Sequence, residues 1–159
     1  MNILIMRHGE AEIYAETDAS RNLTELGCQQ ARLAGECLQQ LGLSFDQIWV
    51  SPYHRAQQTA DELLAGYGRV RRKVCKHLEP DAKISALTDL LADAGKQNIL
   101  LVGHQPLVSS LIGVLESGNT RSGPPMSPAS MALLTTDILL PGCSQLQWLR
   151  HAPSFQPSR

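Results

Sequence analysis

Short apolar runs alternate with helical patterns along this chain, and that alternation constrains the fold more than any other feature. The runs Asn2–Met6, Gln47–Val50 and Asn98–Val102 are short and almost uninterruptedly apolar, which is typical of strands buried on both faces of a parallel sheet. A weaker run, Val70–Cys75, is diluted by Arg71, Arg72 and Lys73. Strands that alternate with helices are joined by crossover connections, so the pattern predicts an α/β fold with a mostly parallel sheet.

Helices are predicted between these strands and after the last of them, over residues 24–42, 51–64, 82–94 and 105–115. The second is expected to start at Ser51-Pro52, because serine is a good N-cap and proline suits the first helical position. Helices on crossover connections cover both faces of a sheet. The expected architecture is therefore a three-layer sandwich.

Two final strands are predicted at the C-terminal end of the chain. Ser130–Thr136 and Gln145–Arg150 are joined by a turn at Pro141-Gly142, and this short connection favours a hairpin with one antiparallel edge strand. The length of 159 residues is typical of one domain, which we place at residues 1–152. The tail, residues 153–159, is expected to be frayed.

Composition excludes several classes of partner. The net charge is −1, with 14 basic and 15 acidic residues, which argues against a nucleic-acid-binding face. The chain has no apolar run of membrane-spanning length and no basic region ahead of its first apolar run, so we expect a cytoplasmic protein with no membrane partner. Its four cysteines are widely spaced, which predicts buried reduced thiols and neither a disulfide framework nor a metal site.

Charged and imidazole side chains follow three of the predicted strands. Arg7-His8 follows the first, Arg55 lies shortly after the second, and Gly103-His104 ends the strong strand near the middle of the chain. Ligands bind beyond the carboxyl ends of strands in open α/β sheets. A cation in the first turn of a helix opposes the macrodipole, typically by about 0.3–1 kcal/mol, so Arg55 is a candidate anion ligand. With Arg7 it offers planar, bidentate donors that suit phosphate.

Four segments of the chain resemble motifs of the histidine phosphatase superfamily, the phosphoglycerate-mutase-like proteins. They read RHGE at residues 7–10, LTELGCQQA at 23–31, SPYHRAQQTA at 51–60 and GH at 103–104. Within that superfamily, the short chain, RNLT at 21–24 and PPM at 124–126 are similar to the SixA type of protein phosphohistidine phosphatase.

This resemblance implies phosphoryl transfer to a histidine nucleophile, His8, with Arg7, Arg55 and His104 holding the phosphoryl oxygens. His8 must be neutral to attack phosphorus. The two arginines are expected to lower its pKa, and a hydrogen bond to the backbone near Gly9 is expected to fix its tautomer. The resemblance implies no metal and no other cofactor.

Two further site residues are less strongly indicated. Arg21 is a candidate substrate ligand that would reach the mouth of the site from the loop after the first strand. Phosphomonoesterases of the superfamily use a carboxylic acid to protonate the leaving group, and Glu79 is the candidate here, with Asp81 close by, although neither lies in a recognisable motif.

The resemblance points to a histidine-phosphorylated protein, such as a phosphotransfer domain, as the substrate of a monomeric enzyme. A phosphohistidine can release a neutral imidazole and needs little acid assistance, which suits a chain without a clear general acid. The main alternative is a small-molecule phosphate monoesterase of the same superfamily. A phosphate-binding module without turnover and a metal-dependent hydrolase are further alternatives.

Overall fold

The computed structural model describes residues 1–95 and 97–157, and its core is one six-stranded sheet. The strands follow the order β3-β2-β4-β1-β5-β6 across the sheet. Their bounds are β1 Asn2–Arg7, β2 Gln47–Val50, β3 Arg71–Val74, β4 Ile99–Gly103, β5 Met131–Thr136 and β6 Ser144–Arg150. The helices are α1 Glu25–Gln40, α2 His54–Tyr67, α3 Ile84–Asp93 and α4 Leu107–Ser117.

The strand directions match the predicted mixed sheet. β1, β2, β3 and β4 pair in parallel with one another, whereas β5 runs antiparallel to β1 and β6 antiparallel to β5. The predicted hairpin therefore places an antiparallel-paired strand, β6, at the edge of the sheet. β5, which runs against its neighbours, lies inside the sheet between β1 and β6.

Helices cover both faces of the sheet, which confirms the three-layer prediction. Ile3 and Ile5 pack with residues of α3 and α4 on one face. Leu4 and Met6 pack with residues of α1 and α2 on the other. Because neighbouring residues of β1 point to opposite faces and both faces are buried, the strand needs apolar residues at every position.

The start of the second helix differs from its prediction. Ser51 is fully buried and follows β2 in non-helical backbone, while Tyr53 occupies the N-cap position and α2 begins at His54. The prediction of a Ser51-Pro52 helix start is wrong because the serine hydroxyl is used in a tertiary contact with His104 and not as a cap. Arg55 remains in the first turn of the helix.

The C-terminal tail also differs from its prediction as far as Pro157. Phe155 is only 3% exposed and joins the core beneath α1 and α2. Arg150 Nη1 donates a hydrogen bond to the Phe155 carbonyl at 2.6 Å. The expectation of fraying is therefore wrong for residues 153–157, because one aromatic side chain anchors the segment. The last two residues of the predicted tail lie outside the described part of the chain.

The four cysteines are all unpaired, but only Cys75 is buried and Cys143 is exposed, so the expectation of buried thiols holds only in part. Among the described residues, no helix combines the length and the apolar character needed to cross a membrane.

Candidate active site

The sheet order brings the predicted site residues to one edge. β4 lies between β1 and β2, with Arg7 opposite Gly103 and Val50 opposite Val102 in the two parallel ladders. The residues that follow these strands, His8, His104 and Ser51, therefore emerge side by side. The His8 and His104 ring centroids are 5.0 Å apart.

Two glycines let the chain after His8 pass close to the start of α1. A Cβ atom at Gly9 would lie 2.5 Å from the Gly27 carbonyl oxygen, and one at Gly27 would lie 2.0 Å from that of Glu10. Any side chain at either position would force the two backbones apart. The close approach helps to fix the position of His8, and the Gly9 N–H also donates to Thr59 Oγ1 of α2 at 3.0 Å.

The His8 ring is held as a single tautomer. Its Nδ1 lies 2.7 Å from the Gly9 carbonyl oxygen, so Nδ1 carries the proton. Nε2 is then the lone-pair nitrogen, and it accepts a hydrogen bond from Arg55 Nε at 3.2 Å. Burial lowers the pKa of His8 to about 4, and the charges of Arg55 and Arg7 add to this effect. His8 is therefore neutral near pH 7, as predicted, although burial is the larger cause.

Ser51 fixes the tautomer of His104, a contact that the sequence did not indicate. Ser51 Oγ accepts the Tyr53 N–H at 3.3 Å and lies 2.8 Å from His104 Nε2. We assign the serine O–H as the donor to Nε2, because it has no other acceptor among the described residues. His104 then carries its proton on Nδ1. Burial, followed by the effects of His8 and Arg55, lowers the pKa of His104 to about 2, so this ring is also neutral.

Asp18 is the second residue that the sequence analysis missed. Arg55 is 4% exposed, and it donates from Nη1 to the Asp18 carbonyl at 2.6 Å and from Nη2 to Asp18 Oδ2 at 3.1 Å. Arg21 Nη1 contacts the other carboxylate oxygen at 3.0 Å. Burial alone would raise the pKa of Asp18, but the hydrogen bonds from Arg21 and Arg55 outweigh it and lower that pKa. Arg21 is thus linked to Arg55 through Asp18, and its role as a substrate ligand stays a prediction.

The sequence carries only a weak local signal for Asp18. Thr17 and Ser20 form a capping box around the short 3-10 turn Asp18–Ser20, but Ser20 stands where the readable motif has Glu or Gln. The partner of Asp18 could not be read in this way, because Arg55 lies on a different element.

Arg7 supplies a further guanidinium. Its Nη1 donates to the Met126 carbonyl at 2.8 Å, while its Nε is buried with no hydrogen-bond partner among the described residues. His104 Nδ1 is also buried with no hydrogen-bond partner among the described residues. A buried donor without a partner costs about 1–3 kcal/mol, so two donors of this cluster stand to gain from an anion.

The charges of the cluster favour an anion as well. Arg7, Arg21 and Arg55 contribute three positive charges, Asp18 contributes one negative charge, and both histidines are neutral. Local positive charge in a partly buried site concentrates anions. Burial, and then the charge of Arg55, lowers the pKa of Arg7.

Glu79 lies near the cluster without joining it. Its carboxylate forms no hydrogen bond or ion pair with His8, Arg55 or His104 among the contacts of the described residues, but its charge reaches Tyr53 and, after burial, contributes to raising the pKa of that phenol. The Tyr53 ring in turn packs against His104 at a centroid distance of 5.1 Å. The role of Glu79 as a general acid stays a prediction.

The fold and the histidine–arginine cluster together define a class of protein. A sequence model of the histidine phosphatase superfamily (branch 1) matches residues 3–79. With curated relatives that align over most of their length, this match shows that the chain belongs to the histidine phosphatase superfamily.

Within that superfamily, the chain is similar to SixA proteins, which confirms the predicted resemblance. It is 35% identical to the phosphohistidine phosphatase SixA homolog of Haemophilus influenzae over 148 residues, covering 86% of this chain and 89% of that one. It is 33% identical to phosphohistidine phosphatase SixA of Escherichia coli (strain K12) over 142 residues, covering 86% of each chain. The solved structure of the protein histidine phosphatase SixA complexed with tungstate superposes with a TM-score of 0.85 at 29% identity, covering 94% of this chain and 96% of that one.

Proposed function

We propose that this chain is a protein phosphohistidine phosphatase in which His8 is the nucleophile. One observation carries the proposal: the Gly9 carbonyl occupies His8 Nδ1, so the lone pair of Nε2 faces the Arg55 guanidinium. A phosphoryl oxygen bound by Arg55 would bring phosphorus close to that lone pair. Positioning of this kind, with charge stabilisation, accounts for most of the catalysis in phosphoryl transfer.

The proposed reaction has two steps. His8 Nε2 forms a bond to phosphorus while the P–N bond of the substrate breaks, and a substrate ring protonated on its second nitrogen leaves as neutral imidazole. Phospho-His8 is then a cation whose Nδ1–H is held by the Gly9 carbonyl. Water attacks phosphorus in the second step, which releases phosphate and restores neutral His8.

The other members of the cluster would hold the oxygens of the transferred group. Arg7 Nε and His104 Nδ1 are buried donors without partners among the described residues, and Arg55 and Arg21 add positive charge. Preorganised donors of this kind are typically worth about 10²–10³ in rate each. Tungstate is a tetrahedral oxyanion like phosphate, so the tungstate complex of the structural relative supports an oxyanion site here.

No carboxylic acid bonds to the histidines or to Arg55 in the way a general acid for the leaving group would, apart from the ion-paired Asp18, among the described residues. This supports a phosphohistidine as the substrate in preference to a phosphate ester. An ester releases an alkoxide that needs a proton, whereas phosphohistidine releases imidazole. Within this proposal the substrate is a histidine-phosphorylated protein such as a phosphotransfer domain. The enzyme acts in the cytoplasm as a monomer and with no metal. It uses one phosphatase domain at residues 1–152, against which Phe155 packs.

The test compares turnover of a phosphohistidine protein, p-nitrophenyl phosphate and a sugar phosphate. The wild-type chain should prefer the phosphohistidine protein, and rapid acid-free quenching should trap an acid-labile phosphate on the enzyme. His8→Ala should abolish both the turnover and the trapped phosphate. His77→Ala changes an exposed histidine outside the cluster and should leave the turnover and the trapped phosphate unchanged.

A preference for the sugar phosphate would instead support the small-molecule monoesterase. Full turnover by His8→Ala would remove the basis of the mechanism. A chelator should not change the rate, and loss of activity with a chelator would support the metal-dependent alternative.

A further inference from the structure

The loop between β1 and α1 carries the two most exposed large apolar side chains of the described residues. Ile13 is 78% exposed and Tyr14 is 88% exposed, compared with 57% for Val74 and Ile138. Burying a side chain of this size typically contributes about 1.5–3 kcal/mol. Adjacent, exposed apolar residues of this kind are characteristic of interaction sites.

The base of this loop is fixed, so the apolar pair has a defined position. The Glu12 N–H donates to the Asn22 carbonyl at 2.8 Å, and Arg21 Nε donates to the Glu12 carbonyl at 2.6 Å. A single antiparallel bridge joins Ala11 to Leu23 just below. These contacts close the loop at its base and fix the backbone at Glu12, directly before Ile13 and Tyr14.

The apolar pair is continuous with the candidate active site. Ile13 and Tyr14 line a shallow groove of about 260 Å³ whose remaining walls are residues 15–18 and Arg21. Asp18 at the end of this groove bonds to Arg55 at 3.1 Å, and Arg55 bonds to the nucleophilic nitrogen of His8 at 3.2 Å. The groove therefore lies next to the site that would receive the phosphoryl group, within reach of a segment that adjoins the phosphohistidine.

The charge of the loop indicates what kind of chain fits. Glu16 and Asp18 are the acidic residues that line the groove, and Arg21 is its basic residue. Asp18 is already paired with Arg21 and Arg55, so Glu16 is the acidic side chain of the groove that has no ion-pair partner among the described residues. A partner segment with basic residues is attracted to such a surface, and one with acidic residues is repelled. The same charge opposes face-to-face pairing of two copies of this loop.

We infer that Ile13, Tyr14 and Glu16 form a docking surface for the segment that flanks the phosphohistidine of the substrate protein, and that this segment carries apolar side chains and a lysine or arginine. The inference rests on the proposed function and adds the site that selects the protein substrate. Ile13 and Tyr14 take no part in the chemistry, so their contribution appears only with substrates that extend beyond the phosphohistidine.

The test uses three substrates phosphorylated on histidine with potassium phosphoramidate. They are free phosphohistidine, a peptide with leucine and lysine around its single phosphohistidine, and a peptide of equal length with serine and glutamate in those places. The wild-type chain should show a kcat/KM about tenfold or more higher for the leucine–lysine peptide than for the serine–glutamate peptide. The double variant Ile13→Ala/Tyr14→Ala should lose this preference through KM while its kcat/KM for free phosphohistidine stays within twofold. Glu16→Lys should lower kcat/KM for the lysine peptide and raise it for the glutamate peptide.

The matched control is Ile138→Ala/Leu140→Ala. These side chains are 57% and 51% exposed. They follow β5, whose last residues pair with Asn2 at the start of β1, whereas His8 follows the other end of β1. This control should keep the peptide preference.

Several results would overturn the docking surface. They are an unchanged preference in the Ile13/Tyr14 variant, an equal loss on free phosphohistidine, an equal loss in the control, or a wild-type dimer in sedimentation that the variant dissociates. Hydrolysis of free phosphohistidine without peptide discrimination refutes only the docking surface. Failure of the wild-type chain on all three substrates refutes the proposed function and the docking surface together.

Discussion

Replacing Ser51 by alanine tests how the second histidine of the site is held. Ser51 is fully buried and His104 is 1% exposed, and the serine hydroxyl donates to His104 Nε2 at 2.8 Å. This bond keeps the imidazole proton on Nδ1, the nitrogen without a protein partner. Without the hydroxyl, the proton is free to occupy either nitrogen, and the donor for the phosphoryl group is only partly populated.

The size of the effect follows from the energy of one buried hydrogen bond. Such a bond contributes about 0.5–1.5 kcal/mol net, and about 1.36 kcal/mol corresponds to a tenfold change in rate. We therefore expect Ser51→Ala to lower kcat/KM by up to about tenfold. His104→Ala removes the donor itself and should cost about 10²–10³.

A double-mutant cycle on phosphohistidine turnover tests whether Ser51 acts through His104. Ser51→Ala should have no further effect on kcat/KM in the His104→Ala background. The control is Thr136→Val, which removes a buried hydroxyl that donates to the Cys143 carbonyl. Thr136 lies near the start of β1, away from His8, so this variant should leave kcat/KM unchanged. A full additional loss in the His104→Ala background would refute the proposed action through His104.

Three further predictions concern pH, charge and packing. Burial lowers the pKa of His8 to about 4 and of His104 to about 2, so the unfolded chain binds more protons than the folded chain below pH 6.5. Each histidine should therefore lower the free energy of unfolding by about 2 kcal/mol between pH 7 and pH 5. Urea titrations at both pH values should show a smaller loss for His8→Ala than for the wild type, and equal losses would contradict the buried neutral ring. Asp18→Asn removes a carboxylate that competes with anions for Arg55; since its side chain is 55% exposed, the gain is screened to about 0.2–1 kcal/mol. The inhibition constant for tungstate should therefore fall by up to about fivefold, and a rise would show that Asp18 helps anion binding. Gly27→Ala places a Cβ 2.0 Å from the Glu10 carbonyl oxygen and should lower stability by about 1–3 kcal/mol, which an unchanged melting temperature would disprove.

The elements of the fold were predictable because their signals are local. The apolar runs at β1, β2 and β4 are continuous, since both faces of these strands are buried. The helix predicted from residue 24 begins at Glu25, with Thr24 as its N-cap. The position of the site was also predictable, because the residues after parallel strands emerge at one edge of a sheet. The local pattern therefore singles out His8, Arg55 and His104.

The contacts between elements were not predictable from local patterns. Ser51 reads as a helix cap in sequence, but its partner is His104, 53 residues away. Phe155 lies in a segment with the composition of a frayed tail, yet one ring packs into the core. In both cases a long-range contact decides the local structure. The Ser51 hydroxyl is used by His104, and burying a side chain such as Phe155 typically contributes about 1.5–3 kcal/mol.

The sequence by itself determined which side chains gather at the candidate site, since their types and their places after strands follow from local pattern. Only the tertiary structure decided how they are oriented. The sheet order places β4 between β1 and β2, the Gly9 carbonyl leaves Nε2 as the lone-pair nitrogen of His8, and Asp18 reaches Arg55 from a separate loop. The orientation of each side chain depends on distances between elements that are far apart in the chain. These distances are fixed only when the helices pack against the two faces of the sheet.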